Sequence, residues 1–203
     1  MAPFCSVIEL IPETYVAPLD LLAIFGRAAP LQVDLGCGDG SFLCELAHLH
    51  QDKNFLGIER LVGRVAKACR KASPLDNVRV LNVESSYAVG YLLPKASVET
   101  FYLLFPDPWP KRRHQRRRIV RLDFLDSIHR ALEPGGSLHI ATDQLDYFGV
   151  IRRVSENHSV FAMVDVSASP ARTVNLPSTK FERRFTVLGA PIYRLGLRKI
   201  SRS

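Results

Sequence analysis

Five carboxylates follow short apolar runs in this chain: Asp34 with residues 31–35, Glu59 after 55–58, Glu84 after 78–83, Asp107 after 98–105 and Asp143 after 138–142. Packing gives no reason for an acid at each of five such ends, because an apolar setting penalises charge. Between the first two lies Gly36-Cys37-Gly38-Asp39-Gly40, a run that permits a sharp turn and close approach of a ligand to the backbone. Glu59 stands about 20 residues beyond that turn, where a carboxylate can accept bonds from ribose hydroxyls. A nicotinamide dinucleotide and S-adenosylmethionine both satisfy that arrangement. Charge separates them: a pyrophosphate at the helix N-terminus would meet Asp34, Asp39 and Glu84 nearby. S-adenosylmethionine has no phosphate, and its ammonium and sulfonium suit an acid-lined pocket. The spacing G-x-G-x-G also departs from the dinucleotide pattern G-x-G-x-x-G, so the turn favours S-adenosylmethionine.

The second chemical centre is Phe105-Pro106-Asp107-Pro108-Trp109-Pro110, followed by Lys111-Arg112-Arg113-His114-Gln115-Arg116-Arg117-Arg118. Three prolines fix their own φ and keep the preceding residues out of the helical region, so the loop should be stiff and extended. It would hold one carboxylate and the only tryptophan in fixed relation. The basic block has seven Lys or Arg in the eleven residues 111–121 and no acid among them. It suits a polyanion, gripped with a steep salt dependence. Trp109 offers a stacking face for a base; His114 receives no catalytic part.

These residues need a scaffold that lines up strand ends. Residues 31–35, 55–58, 78–83, 98–105 and 138–141 read as strands, and helical spacings separate them. Phe42, Leu46 and Leu49 mark one helix, Val65, Ala68, Cys69 and Ala72 the next, and Leu122, Leu125, Ile128 and Leu132 another. The second of these has Arg64, Lys67, Arg70 and Lys71 on its other side. A short leading helix is expected around Leu19 to Phe25, the basic block is expected to belong to the helix after it, and Pro134-Gly135-Gly136 to break that helix. A further helix is expected near 145–157 and two last strands at 160–166 and 192–199, joined by a long structureless link, 167–191. Residues 1–16 carry no assignable pattern. The expectation is an α/β fold, a mainly parallel seven-stranded sheet with helices on both faces. Ligands of such sheets bind beyond the carboxyl ends of the strands. Residues 1–30 form an N-terminal segment and 31–203 a single domain.

Composition sets the outer limits. A chain of 203 residues buries roughly 70% of its unfolded surface and needs no staple. Cys5, Cys37, Cys44 and Cys69 show no C-x-x-C spacing, which fits a reduced cytoplasmic protein without a metal site. No apolar run approaches the ~20 residues that span a bilayer. The net charge of +7 favours an acidic partner.

With D-L-G-C-G-D-G, G-I-E, F-P-D-P-W-P-K, A-T-D and T-K-F-E in order, the chain resembles the bacterial tRNA (guanine-N(7))-methyltransferase family from about residue 31 to 198. The resemblance implies a Rossmann-like class I methyltransferase fold and methylation of a variable-loop guanine, position 46 by tRNA convention, by a monomer or homodimer. It implies S-adenosylmethionine contacts from Asp34, Gly36, Gly38, Glu59, Glu84 and Asp107, with Asp107 catalytic. It implies tRNA contacts from Lys111, Asp143, Thr179, Lys180, Phe181 and Glu182. Two other readings remain open: methylation of an exocyclic amine, since the loop is similar to that of amino-group methyltransferases, and an RNA-binding module without turnover.

Overall fold

The computed structural model of the chain describes residues 8–164 and 176–200. Among them are eight strands: β1 Glu9–Leu10, β2 Leu31–Leu35, β3 Asn54–Glu59, β4 Val78–Asn82, β5 Val98–Leu104, β6 Leu132–Thr142, β7 Phe161–Val164 and β8 Tyr193–Lys199. They make one sheet in the order β1-β4-β3-β2-β5-β6-β8-β7, in which β8 alone runs opposite to the other strands. The strand order reverses at β2, so β3 and β5 flank it and a crevice opens where their carboxyl ends diverge.

Seven α-helices accompany the strands among the described residues: α1 Leu21–Phe25, α2 Ser41–Leu49, α3 Val62–Ala72, α4 Ser85–Tyr87, α5 Leu122–Ala131, α6 Leu145–Glu156 and α7 Lys180–Val187. Alternation along the strands divides the core into two layers. Phe42, Leu46, Val65 and Ala68 of α2 and α3 pack on Phe55, Val78 and Val80. On the other face Phe25, Phe124, Leu125 and Ile151 pack with Val33, Leu56 and Phe101. Every position of β2 and β3 is buried, as a strand covered on both faces requires. The segment before β2 joins this core: the Leu19 amide donates to the Leu92 carbonyl at 2.8 Å and the Tyr87 hydroxyl to the Tyr15 carbonyl at 2.8 Å.

Four expectations are corrected. The sheet has eight strands rather than seven, because Glu9 and Leu10 pair with Val80 and Leu81 at the edge. Two residues carry no period, so only the pairing reveals them. Pro134-Gly135-Gly136 does not separate α5 from β6 but lies inside β6, where the register against β5 slips between Val98↔Leu132 and Thr100↔Ser137. A Cβ on Gly136 would stand 2.9 Å from the Glu99 carbonyl, so the strands meet there over bare backbone. The basic block is not part of α5; it winds into a separate 3-10 segment, Arg112–Arg117. The link before β8 is not structureless: it contains α7, opened by a capping box in which Thr179 and Glu182 bond each other's backbone amides. Thr179-x-x-Glu182 is a sequence signature of that cap. Cys5, positions 165–166 of the expected strand and residues 167–175 of the expected link lie outside the described residues.

The tightest constraint is at Gly40, which has φ +73° and whose added Cβ would fall 2.8 Å from Ala68 Cβ and 2.9 Å from Ala68 Cα. A left-handed conformation costs a non-glycine residue about 1–2 kcal/mol and overpacking about 1–3. Gly40→Ala is therefore expected to lose roughly 2–4 kcal/mol in urea unfolding. A loss below about 0.5 kcal/mol would contradict the packing of α3 against this turn.

Candidate functional site

The chain leaves β2 through Gly36, Gly38 and Gly40, all at positive φ. The Gly36 and Cys37 amides donate to the Ile58 carbonyl at 2.8 and 3.0 Å, and the Gly38 amide to Glu59 Oε2 at 3.1 Å. Glu59 Oε1 accepts from the Leu61 amide at 2.9 Å, and Arg64 stands 3.7 Å from Oε2. One buried carboxylate thus ties the turn after β2 to the corner after β3. Asp34 lies under this turn, 4% exposed. Burial, and then the charge of Glu59, push its carboxyl up to about 7.

Beyond the strand ends opens a cleft of about 600 Å³. Of the expected residues, Gly36, Glu59, Glu84 and Asp107 line it. Glu84 also caps α4, accepting from the Tyr87 amide at 2.9 Å through one oxygen. Asp34 and Gly38 sit next to the wall rather than on it. The acid-lined pocket expected from the sequence needs correction, because Arg60, Arg64 and Arg117 line the same cleft. Arg60 adjoins Glu59, whereas Arg64 comes from the first turn of α3 and Arg117 from the basic segment, and linear spacing does not indicate which way such long side chains turn.

The Phe105–Pro110 stretch runs along one side of the cleft. Its peptides are trans, and Phe105 and Trp109 take φ +55° and +41°, unusual for residues with a Cβ. Arg118, 7% exposed, donates from Nε to the Pro108 carbonyl at 2.8 Å and lies 4.8 Å over the Tyr147 ring. Asp107 is thereby presented outward, its side chain 69% exposed, with Arg60 3.8 Å away. That separation exceeds a hydrogen bond, so the carboxylate keeps its acceptor capacity. Trp109 has Arg117 over its ring at 4.9 Å and His114 edge-on at 5.8 Å. Lys111, Arg112, Arg113 and Arg116 point to solvent.

Helix α7 reaches the same region from far along the chain. Lys180 bonds Asp39, which also takes Lys71 at 2.5 Å, and Arg183 stands 3.6 Å from Glu45. Partial burial pushes the Asp39 carboxyl up, but hydrogen bonds from Lys180, Lys71 and Ser41 outweigh it and hold the group well below the usual carboxylate range. Phe181, half exposed, lies 5.9 Å from the Phe105 ring and Phe185 5.5 Å. Thr179 and Glu182 are occupied by the cap, and Glu182 also pairs with Arg194. Asp143 follows β6 and accepts from Gln144 Nε2 at 2.6 Å; neither it nor Lys111 lines the cleft. Sequence reasoning missed Arg60, Arg64, Arg117 and the Asp39–Lys180 contact. Arg64 and Arg117 belong to basic stretches of the sequence, but nothing local places them or Arg60 on the cleft wall, and the last contact joins residues 141 apart.

A second cleft, about 370 Å³, opens at the amino ends of the strands. Along its polar wall Lys53 and Gln32 donate to Glu99 and the Tyr102 hydroxyl donates to Gln32, while the buried Nδ1 of His139 on the same wall has no hydrogen-bond partner among the described residues. Among the described residues no group of three or more His, Cys, Asp or Glu could hold a metal, and no helix is long and apolar enough to cross a membrane. Cys37, Cys44 and Cys69 are unpaired.

Residues 28–195 match a family model described as a methyltransferase. The tRNA (guanine-N(7)-)-methyltransferase of Halorhodospira halophila is 40% identical over 192 residues, 91% of this chain and 80% of that protein. Among solved structures, the 16S rRNA methyltransferase KamB superposes with a TM-score of 0.64 at 18% identity, covering 91% of this chain and 95% of that one. The plantazolicin methyltransferase BamL, solved with SAH, gives 0.57 at 11% identity, covering 89% and 80%. The fold is that of S-adenosylmethionine-dependent class I methyltransferases.

The raised pKa of Asp34 has a signed consequence. Between about pH 4 and pH 7 the folded chain keeps a proton there that the unfolded chain has released, so this group makes stability fall as pH rises. The destabilisation is absent below the unfolded value and complete above about 7. Asp34→Asn removes the dependence. From about pH 5 to about pH 8 the variant should gain roughly 3 kcal/mol on the parent in urea unfolding. Parallel pH profiles would show that Asp34 ionises normally.

Proposed function

The chain belongs to the tRNA (guanine-N(7)-)-methyltransferase family, and from that premise we propose that the 600 Å³ cleft transfers a methyl group to guanine N7 at variable-loop position 46 of tRNA, with Asp107 as the catalytic residue. The donor is S-adenosylmethionine, which supplies an electrophilic methyl group when bound. The residues present fit it. The cleft has the size of a small-molecule site, and Gly36 brings bare backbone to its wall. Glu59 and Glu84 each offer a carboxylate there for hydroxyl or amino groups, and Asp34 beneath the turn can stabilise a nearby cation. Two of the three arginines on the wall stand beside acids, Arg64 by Glu59 and Arg60 by Asp107, whereas Arg117 lies over the Trp109 ring.

Guanine N7 has a lone pair and no proton to lose, so the chain needs no general base. It needs a fixed approach and an answer to the positive charge that appears on the purine. Asp107 suits the second task. The observation that carries the reading is the way this carboxylate is presented: between two residues at positive φ, pinned from below by buried Arg118, on the wall of the cleft. Strain of this kind costs of order 1–3 kcal/mol per residue and collects at functional sites. Once RNA covers the cleft and excludes water, the same carboxylate acts in a lower dielectric and more strongly.

Lys111 and the exposed arginines of the 3-10 segment would grip phosphates beside the cleft. Phe181, facing Phe105, would offer an aromatic surface to an exposed base, and Lys180 and Asp143 would contact the RNA outside the cleft. Thr179 and Glu182 serve this contact by holding the first turn of α7. One copy carries every residue assigned, so the reading holds for a monomer and a homodimer alike. Three unpaired described cysteines and a tRNA substrate support a cytoplasmic location.

Labelled methyl transfer to unmodified tRNA, followed by mapping of the methylated base, tests the reading. The expected product is a single 7-methylguanine in the variable loop; a methylated exocyclic amine would redirect the assignment. Asp107→Ala should lower turnover by about 10²–10³-fold with an unchanged urea midpoint, because the side chain is mostly exposed. Near-normal transfer by that variant would remove Asp107 from the chemistry.

A further inference from the structure

Helix α3 carries Arg64, Lys67, Arg70 and Lys71 on its exposed side and has no acidic residue along its length. Its other side, Val65, Ala68 and Ala72, is fully committed to the core. A face that has only to stay hydrated is better served by mixed signs, which stabilise a helix by a few tenths of a kcal/mol per i,i+3 or i,i+4 pair. Here Arg64 and Lys67, Lys67 and Arg70, and Lys67 and Lys71 are like-charged at those spacings, each an unfavourable pair. Arg64 also stands in the first turn, where the helix dipole favours acids. Arg70 and Lys71 stand in the last turn, where the dipole favours cations, so the local cost of the single-sign face falls on Arg64 and on the like-charged pairs that Lys67 makes.

Two of these cations are neutralised from outside: Arg64 by Glu59 at 3.7 Å and Lys71 by Asp39 at 2.5 Å. Lys67 and Arg70 are exposed, and neither side chain has an acidic partner among the described residues. Position adds to charge. Arg60 and Arg64, at the β3–α3 corner, line the same cleft as Arg117 of the basic 3-10 segment. Because β3 and β5 lie on opposite sides of β2, these two basic elements stand on opposite sides of the cleft.

We propose that the exposed face of α3, with Lys67 and Arg70 at its centre, is a second track for tRNA phosphates, so that the RNA backbone is held on both flanks of the reacting guanine. The proposal rests on the reading of the cleft as a tRNA methyltransferase site. Phosphate is the ligand that matches a face of one sign continuous with that cleft. Contact on both flanks opposes rotation of the RNA about a single grip, which helps keep N7 in line with the methyl group.

Lys67→Glu/Arg70→Glu in the full chain tests it against Arg152→Glu/Arg153→Glu, an equal charge change on the exposed side of α6. For the α3 variant the expected results are an unchanged S-adenosylmethionine Kd, an unchanged kcat at saturating tRNA and a tRNA Kd at least about tenfold weaker. The log–log salt slope should be shallower by just under one unit for each phosphate that is no longer neutralised. The α6 variant should keep the parental slope. Parental tRNA affinity and slope in the α3 variant, or equal losses in both variants, would overturn the proposal and leave α3 as a solvated face, a dock for an acidic protein, or part of a diffuse field. If the parent protein itself neither binds nor methylates tRNA, the reading of the cleft fails first. Normal parental activity with an unaffected α3 variant removes this track alone.

Discussion

Glu59 joins the two strand ends between which the site is built. Its carboxylate accepts from Gly38 on the β2 side and from Leu61 on the β3 side, while the Ile58 carbonyl takes the amides of Gly36 and Cys37. These bonds satisfy backbone donors that the glycine turn would otherwise leave buried and unpaired, a loss of about 1–3 kcal/mol each. They also place the wall of the cleft, because α2 and α3 start from the two halves of the corner that Glu59 holds. The close approach of Gly40 to Ala68 then locks these helices together over the same corner.

On the far side of β2 the loop after β5 is held by different means. Prolines limit its backbone, two residues with side chains accept positive φ, and Arg118 is drawn out of the basic block to bond the Pro108 carbonyl. A guanidinium buried among apolar groups needs such partners, and the Tyr147 ring supplies the rest. One stretch of arginines is therefore divided by its surroundings: Arg118 supports the loop that carries Asp107, whereas Arg112, Arg113 and Arg116 remain exposed to water. Arg117 stands between them, over Trp109 and on the cleft wall.

Helix α7 closes the circuit. Its capping box starts a helix in a stretch with little apolar content, and its first residue bonds Asp39 in the glycine turn. Phe181 and Phe185 meet Phe105 at the entrance to the proline-framed loop. The glycine turn after β2 and the proline-framed loop after β5 are thus in contact through one short helix. Because Asp39 also takes Lys71 from α3, the same carboxylate touches three elements around the cleft.

Much of this was legible before any coordinates. Apolar runs and glycine or proline breaks marked β2 through β6, α1 through α3, α5 and α6, since strand and helix periods are local properties of a chain. The acids at the strand ends pointed to a site at the carboxyl edge, because parallel strands must all end there. The motifs in order pointed to the family. Beyond that the linear pattern carried no information. The two-residue β1 exists only through its partner β4, and the bulge in β6 only through its register with β5. Asp34 titrates near neutrality because burial and Glu59 surround it, and Arg118 is structural while its neighbours are not because Pro108 and Tyr147 happen to face it. The sequence by itself determined which residues could do chemistry and on which edge of the sheet; only the tertiary structure decided which of them share a wall, since charge, exposure and reach depend on neighbours brought from elsewhere in the chain.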